Sequence, residues 1–359
     1  MPPLRPAPKA LRSWTKAPVR ACSSPASPPT SPFAPRHFLS IADLTPQELT
    51  SLVRNAHKHK QAIKSGSIPN NLLGALAGKT VAMTFNKRST RTRVSTEAAV
   101  ATMGGHPMFL GKEDIQLGVN ESVMDTALII SSMTSAIVAR VGPHSEVADL
   151  AKHSTVPVIN ALCNDYHPLQ HLADLLTITE TRTATSGPTL GLEGLKIAWV
   201  GDSNNVLYDM CIGAMKLGIT MAVATPPAYS IPKHMKEIIQ SQAATAPRPG
   251  TLTETTVPEE AIRDADIIVT DTWISMGQEA EAKERLRAFA GYQVTNELAQ
   301  RAGAKEDWQF MHCLPRHQEE VNDEVFYGPR SVVFREGENR LWTMISALES
   351  FVVNKGKIV

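Results

Sequence analysis

Short apolar runs recur along this chain, each followed by a polar turn and a stretch of helical spacing. That rhythm limits the fold more than any other feature. Runs at 80–85, 106–110, 136–140 and 156–160 alternate with helical patterns at 94–101, 121–132, 146–153 and 167–180. A further helix is expected from Pro46 to about Lys64, with Thr45 as its cap. Apolar strands separated by helices are the pattern of a parallel sheet covered on both faces. A Thr-, Ser-, Gly- and Pro-rich stretch at 181–194 reads as a linker. Beyond it the rhythm restarts, with strands expected at 196–200, 221–224, 267–271 and 308–313, and a helix at 232–242. The expected architecture is therefore α/β: two doubly wound parallel-sheet domains, 38–182 and 183–338, with the active site in the cleft between them. A last amphipathic helix over 339–352, within a segment 339–359, is expected to pack back on the first domain.

The first acid in the chain is Asp43, and six basic residues precede it: Arg5, Lys9, Arg12, Lys16, Arg20 and Arg36. The whole chain has 36 basic and 35 acidic residues, so without those six the remainder carries a net charge of −5. Residues 1–37 are Pro- and Ser-rich, basic and free of acids, which is the signature of an organelle transit peptide. The alternative is a disordered tail with no address. A mitochondrial matrix location is expected. The overall charge of +1 gives no hint of nucleic-acid binding, and no apolar run is long enough to span a bilayer. Of the four cysteines, Cys22, Cys163, Cys211 and Cys313, none forms a CxxC pair; the set argues for a reducing compartment.

Four stretches carry chemistry. In Phe85-Asn86-Lys87-Arg88-Ser89-Thr90-Arg91-Thr92-Arg93, hydroxyls and guanidiniums gather at a helix start after a strand. Ser89 or Thr90 is the expected cap. Unpaired N–H groups and the positive end of the helix dipole suit a phosphate there, and Arg91 adds a bidentate fork. A solvated basic helix start is the rival reading. His167-Pro168-Leu169-Gln170-His171 offers an imidazole and, one turn on, an amide. His167 and His171 have the spacing of a metal pair, but no third ligand is in view and no metal is expected. Asp271-Thr272-Trp273-Ile274-Ser275-Met276-Gly277 joins a strand to a helix and suits an ammonium group, or is an ordinary turn. His312-Cys313-Leu314-Pro315-Arg316 sets a thiol beside groups able to lower its pKa; an inert buried Cys is the alternative. Arg140, Asn204, Asn205, Asp271 and Cys313 all fall at expected strand ends, where open α/β sheets place their sites. Gly201-Asp202-Ser203-Asn204-Asn205 occupies the place of a dinucleotide fingerprint without its glycines, which weighs against a nucleotide-dependent oxidoreductase.

Together, in order and spacing, these four stretches resemble the transcarbamylase family over residues 38 to 359. The Ser275-Met276-Gly277 and Cys313-Leu314-Pro315 stretches resemble its ornithine carbamoyltransferase branch. The resemblance implies transfer of the carbamoyl group of carbamoyl phosphate to the δ-amine of L-ornithine, giving citrulline and phosphate. It implies no cofactor or metal, no nucleic-acid or membrane partner, and a homotrimer with active sites near subunit interfaces. On the carbamoyl phosphate side it implies Ser89, Thr90, Arg91, Thr92, Gln116, Arg140, His167, Gln170, Cys313, Leu314 and Arg340. On the ornithine side it implies Asn205, Asp271, Ser275 and Met276. Catalytic roles fall to Cys313, Arg140, His167 and Asp271, and Arg93 takes a salt-bridge role.

Overall fold

The computed structural model describes residues 34–115, 121–182, 189–274 and 279–359. The first lobe runs α1 (Pro46–Lys64), β1 (Thr80–Phe85), α2 (Thr90–Thr102), β2 (His106–Gly111), α3 (Val123–Met133), β3 (Ala136–Arg140), α4 (His144–His153), β4 (Val158–Leu162) and α5 (Pro168–Arg182). The second runs β5 (Lys196–Val200), α6 (Asn205–Leu217), β6 (Thr220–Ala224), α7 (Lys233–Ser241), β7 (Thr251–Thr255), α8 (Pro258–Ile262), β8 (Ile267–Val269), α9 (Ala282–Ala288), α10 (Asn296–Ala302), β9 (Gln309–Met311) and α11 (Asp323–Phe326). The long helix α12 (Val333–Leu348) closes the chain.

Both sheets are parallel, in the orders β2-β1-β3-β4 and β7-β6-β5-β8-β9. Each order reverses once, between β1 and β3 and between β5 and β8. Helices diverge at such a reversal and leave a crevice at the carboxyl ends of the two strands. The two-lobed doubly wound fold is as expected. The inner strands β1 and β3 are buried along nearly their whole length, as apolar runs under two helical layers must be.

Several boundaries differ from those expected, each for a local reason. β4 starts at Val158, because Pro157 has no N–H to give a ladder. β8 and β9 stop at Val269 and Met311, so Asp271 and Cys313 lie in loops past the strand ends. β7 is a half-exposed edge of Thr and Glu, which periodicity does not reveal. α12 starts at Val333 and runs through Gly337, around which nothing crowds. Arg36, counted with the leader on composition, pairs with Glu48 at 2.6 Å and donates to the Gly356 carbonyl at 3.1 Å.

α12 returns to the first lobe. Ser346 donates to the Leu52 carbonyl of α1 at 2.8 Å, and Asn339 donates to Thr177 of α5 at 2.8 Å. No helix among the described residues is long and apolar enough to cross a membrane.

Candidate active site

Both sheet reversals open on one cavity of about 1080 Å³. Its lining includes Ser89, Thr90, Arg91 and Thr92 after β1, Arg140 ending β3, Asn204 and Asn205 after β5, Asp271 after β8, and Cys313 and Leu314 after β9. His167 and Arg340 complete the set.

The first-lobe wall begins with the cap of α2. Ser89 takes that role, its hydroxyl accepting the Thr92 N–H at 3.2 Å. Arg91 then projects across the cleft and donates to the Leu314 carbonyl of the second lobe. Leu314 holds that carbonyl with φ of 63°, a left-handed conformation that costs a non-glycine residue roughly 1–2 kcal/mol. Arg140 sits where the β3–β4 register slips between Ala139 and Arg140, an irregularity of the kind that re-aims a side chain. Burial, and then the charge of Arg91, push its guanidinium down to about 10, so it stays charged at neutral pH. Burial, followed by Arg91 and Arg140, does the same to Arg340, also to about 10. Arg340 donates to Thr92 Oγ1 at 3.2 Å and to Gln170 Oε1 at 2.8 Å. Three guanidiniums held this close repel one another, and a bound anion relieves that repulsion.

Gln170 lies behind this wall and does not line the cavity. Its amide donates to Asp174 Oδ1 and to Glu336 Oε1, each at 2.8 Å. Glu336 Oε2 accepts the His312 N–H at 3.0 Å, which ties α12 to the loop after β9. Burial, and then the facing Asp174 carboxylate, push the Glu336 carboxyl well above its ordinary value. Asp174 and Glu336 are therefore a buried carboxyl pair bridged by the Gln170 amide. Sequence reasoning missed both; the only signal was two acids on the otherwise buried faces of α5 and α12.

On the second-lobe wall, Asp271 Oδ1 accepts from the Cys313 thiol at 3.1 Å and from the Thr272 N–H at 2.8 Å. Its Oδ2 accepts from the Asn204 amide at 2.7 Å. Asn204 also caps α6, so one side chain sets both the helix start and the carboxylate. Burial raises the Asp271 carboxyl, opposed by His312 and these donors.

The expectation that neighbours lower the Cys313 pKa is corrected. Burial and the Asp271 carboxylate push the thiol well above its ordinary value. His312 is neutral, pushed down to about 4 by burial, and its Nδ1 accepts the Leu314 N–H at 2.9 Å. That bond places the ring proton on Nε2, facing Glu320 at 3.3 Å. Arg316 turns away toward Asp323 and stacks over Phe326 at 4.8 Å.

His167 is buried immediately before α5. Burial, then Arg340, Arg140 and Arg91, hold its imidazole well below the ordinary value, so it is neutral. Its Nδ1 has no protein partner among the described residues. Asn205 lines the cavity but spends an amide hydrogen on the Cys163 carbonyl at 2.6 Å. Arg93 faces away, paired with Glu97 at 2.9 Å and lying over the Phe109 ring. Gln116, Ser275 and Met276 lie outside the described residues. Further charged groups on the lining, among them Lys87 and Asp202, went unassigned from sequence. Lys87 donates to Asn164 at 3.1 Å, and Asp202 is paired with Arg285 at 2.9 Å.

Among the described residues, one group of side chains has metal-ligand proximity. Donor atoms of Asp271, His312 and Cys313 lie within 4.8 Å of one another. The imidazole nitrogens are both committed and the thiol is protonated, so the set is arranged for hydrogen bonding. His167 and His171 belong to no such group.

A lobe presenting clustered guanidiniums, facing a lobe presenting a carboxylate and a thiol, defines a two-substrate transferase for an anionic donor. The chain belongs to the aspartate/ornithine carbamoyltransferase family. Residues 36–180 match its carbamoyl-P binding domain and residues 193–351 its Asp/Orn binding domain. Within the family the similarity runs to the ornithine branch. The chain is 68% identical over 342 residues to the mitochondrial ornithine carbamoyltransferase of Emericella nidulans, covering 95% of each protein. It is 66% identical to the mitochondrial enzyme of Aspergillus niger, covering 98% of this chain and 100% of that one. The crystal structure of the mitochondrial ornithine carbamoyltransferase of Coccidioides immitis superposes with a TM-score of 0.85 at 64% identity, covering 91% of this chain and 100% of that one.

Proposed function

We propose that this chain transfers the carbamoyl group of carbamoyl phosphate to the δ-amine of L-ornithine, giving L-citrulline and phosphate, in mitochondria. The observation that carries the reading is the shared cavity, with Arg91, Arg140 and Arg340 on one side and the Asp271–Cys313 pair on the other.

In this reading the phosphate sits at the start of α2, held by Ser89, Thr90, Arg91 and Thr92, with Arg140 and Arg340 beside it. Negative charge grows on the phosphate as the C–O bond breaks, and fixed cations stabilise that change more than they stabilise the ground state. Arg140 and Thr92 also donate to the carbonyl oxygen. His167, neutral and poorly basic, serves as a hydrogen-bond donor to the same oxygen rather than as a base. Gln170 acts from behind, through Arg340. Asp271, with Asn205, Ser275 and Met276, holds the amino-acid end of ornithine, and Cys313 with Leu314 borders the reacting carbon. The amine attacks as the free base. With the thiol protonated and His167 a weak base, the amine proton goes to the Asp271 carboxylate or to the departing phosphate.

A homotrimer accompanies this reading, supported by an apolar face on α3. Met124, Leu128, Ile129 and Met133 are 49%, 41%, 53% and 70% exposed on that helix. Gln116 is assigned to a neighbouring subunit's phosphate site. The deciding experiment is citrulline formation by the purified chain. Product should require both carbamoyl phosphate and ornithine, and should fall away when ornithine is replaced by putrescine or aspartate. No citrulline, or an equal rate with another amine, would overturn the assignment.

A further inference from the structure

Helix α6 belongs to the second lobe, yet one stripe of it grips the first. Asn205, Asp209, Gly213 and Lys216 follow one another at spacings of three or four, so they share a face. Asn205 reaches the Cys163 carbonyl. At Gly213 the helix approaches α5 so closely that a Cβ would stand 1.9 Å from His171 Nε2. Lys216 is buried, and its ammonium donates to the carbonyls of Ala42 and Leu44.

Asp209 is fully buried between these contacts and makes no ion pair among the described residues. Its Oδ1 accepts from the Ile41 N–H at 3.2 Å and the Ser40 hydroxyl at 3.4 Å. Its Oδ2 accepts the main-chain N–H of His167 at 2.6 Å. Three donors reach its two oxygens, so the position calls for a carboxyl group able to accept at both, even though burial pushes this one up to about 8. An asparagine of the same shape would turn an NH₂ against one of the N–H donors and leave it unpaired, a loss of the kind buried polar groups tolerate poorly.

We propose that Asp209 is a positioning residue for the transfer reaction: from the second lobe it fixes the main chain of His167 at the entry to α5, and so sets the imidazole on the cavity wall. The proposal rests on the reading of His167 given above. His167 Nδ1 has no protein partner among the described residues, and the anchored backbone is what holds the ring to the cavity. Lys216 supplies the internal control. It clamps the same 40–44 turn from the same helix face but does not touch His167.

The test compares the full chain with Asp209→Asn, Lys216→Met and His167→Ala, by steady-state kinetics in both substrates and by thermal melting. Displacing a reacting group by about 1 Å costs up to roughly a hundredfold in rate, so Asp209→Asn should lower kcat roughly ten- to a hundredfold. Its KM for ornithine should stay near the wild-type value. Lys216→Met should lower the melting temperature while kcat holds. If Asp209→Asn does not fold, Asp209→Ser, smaller and able to accept one N–H, is measured in its place and should show the same split. Equal loss of kcat in the Asp209 and Lys216 variants, or wild-type kcat in a folded Asp209 variant, overturns the proposal. An unimpaired His167→Ala overturns it as well, by removing its target. Absence of citrulline from the wild-type chain refutes instead the function on which it rests.

Discussion

The Cys313 thiol donates to Asp271 Oδ1 across 3.1 Å, and the same carboxylate binds the Asn204 amide through its other oxygen at 2.7 Å. The loop after β9, the loop after β8 and the start of α6 are thereby joined at one carboxyl group. The thiol is a hydrogen-bond donor in this triangle, and a thiolate there would face Asp271 with like charge.

Replacing Cys313 with Ala removes a donor to a buried carboxylate. Hydrogen bonds to charged groups are worth about 1.5–3 kcal/mol, so kcat/KM for ornithine should fall roughly ten- to a hundredfold. The KM for carbamoyl phosphate should move far less. Initial-rate kinetics with each substrate varied in turn would expose the opposite pattern.

Arg91→Leu removes both the guanidinium at the α2 start and the bond to the Leu314 carbonyl. Carbamoyl phosphate affinity should weaken at least roughly a hundredfold, equivalent to about 3 kcal/mol, with the far-ultraviolet spectrum unchanged. Calorimetric titration reads this directly, and retained affinity would remove Arg91 from the site.

Glu336, facing Asp174 in the core, gives stability a pH dependence of definite sign. Glu336 has a folded pKa above its ordinary 4.5, so the folded state binds more protons than the unfolded state. Stability from this group is therefore greatest at low pH and declines as pH rises from 4.5 toward the elevated folded value. Asp174→Asn keeps an acceptor for Gln170 and offers Glu336 an amide in place of a second carboxylate. The variant should melt above the wild type at pH 8 and lose that advantage at pH 5. A gain of about 1 kcal/mol corresponds to roughly 1–2 °C for a chain of this length.

Gly213→Ala places a methyl group on His171. Overpacking of this kind costs about 1–3 kcal/mol, read from the urea midpoint. The double variant Gly213→Ala with His171→Ala should recover part of the loss, because the two groups are in contact. Additive losses would place the strain elsewhere.

Met133→Lys on the exposed face of α3 should shift the protein to a smaller species in light scattering, if that face joins subunits. An unchanged mass would move the interface off α3.

The sequence disclosed the strand–helix alternation because buried parallel strands are unbroken apolar runs, and it disclosed the Ser89–Arg93 and Cys313–Pro315 stretches because each gathers several chemistry-bearing side chains just past an apolar run. It did not disclose β7, whose Thr and Glu side chains are half in water, nor the short α9, α10 and α11, which are too brief for a helical period. The direction of the Cys313 shift was also hidden. His312 and Arg316 are its neighbours along the chain, but their side chains are committed to Glu320 and Asp323, while Asp271, remote in sequence, is the group in contact. Asp209 and Glu336 escaped notice for the same reason: their partners lie on other elements.

Arg340 completes a trio of guanidiniums whose other members, Arg91 and Arg140, belong to the first lobe, yet it lies on α12. A ribosome releases the first lobe long before it has made that helix. The growing polypeptide should therefore be unable to complete that trio until α12 emerges, and because Trp342, Met344, Ile345 and Leu348 of that helix are core residues, cutting it away should cost the first lobe its packing along with the site.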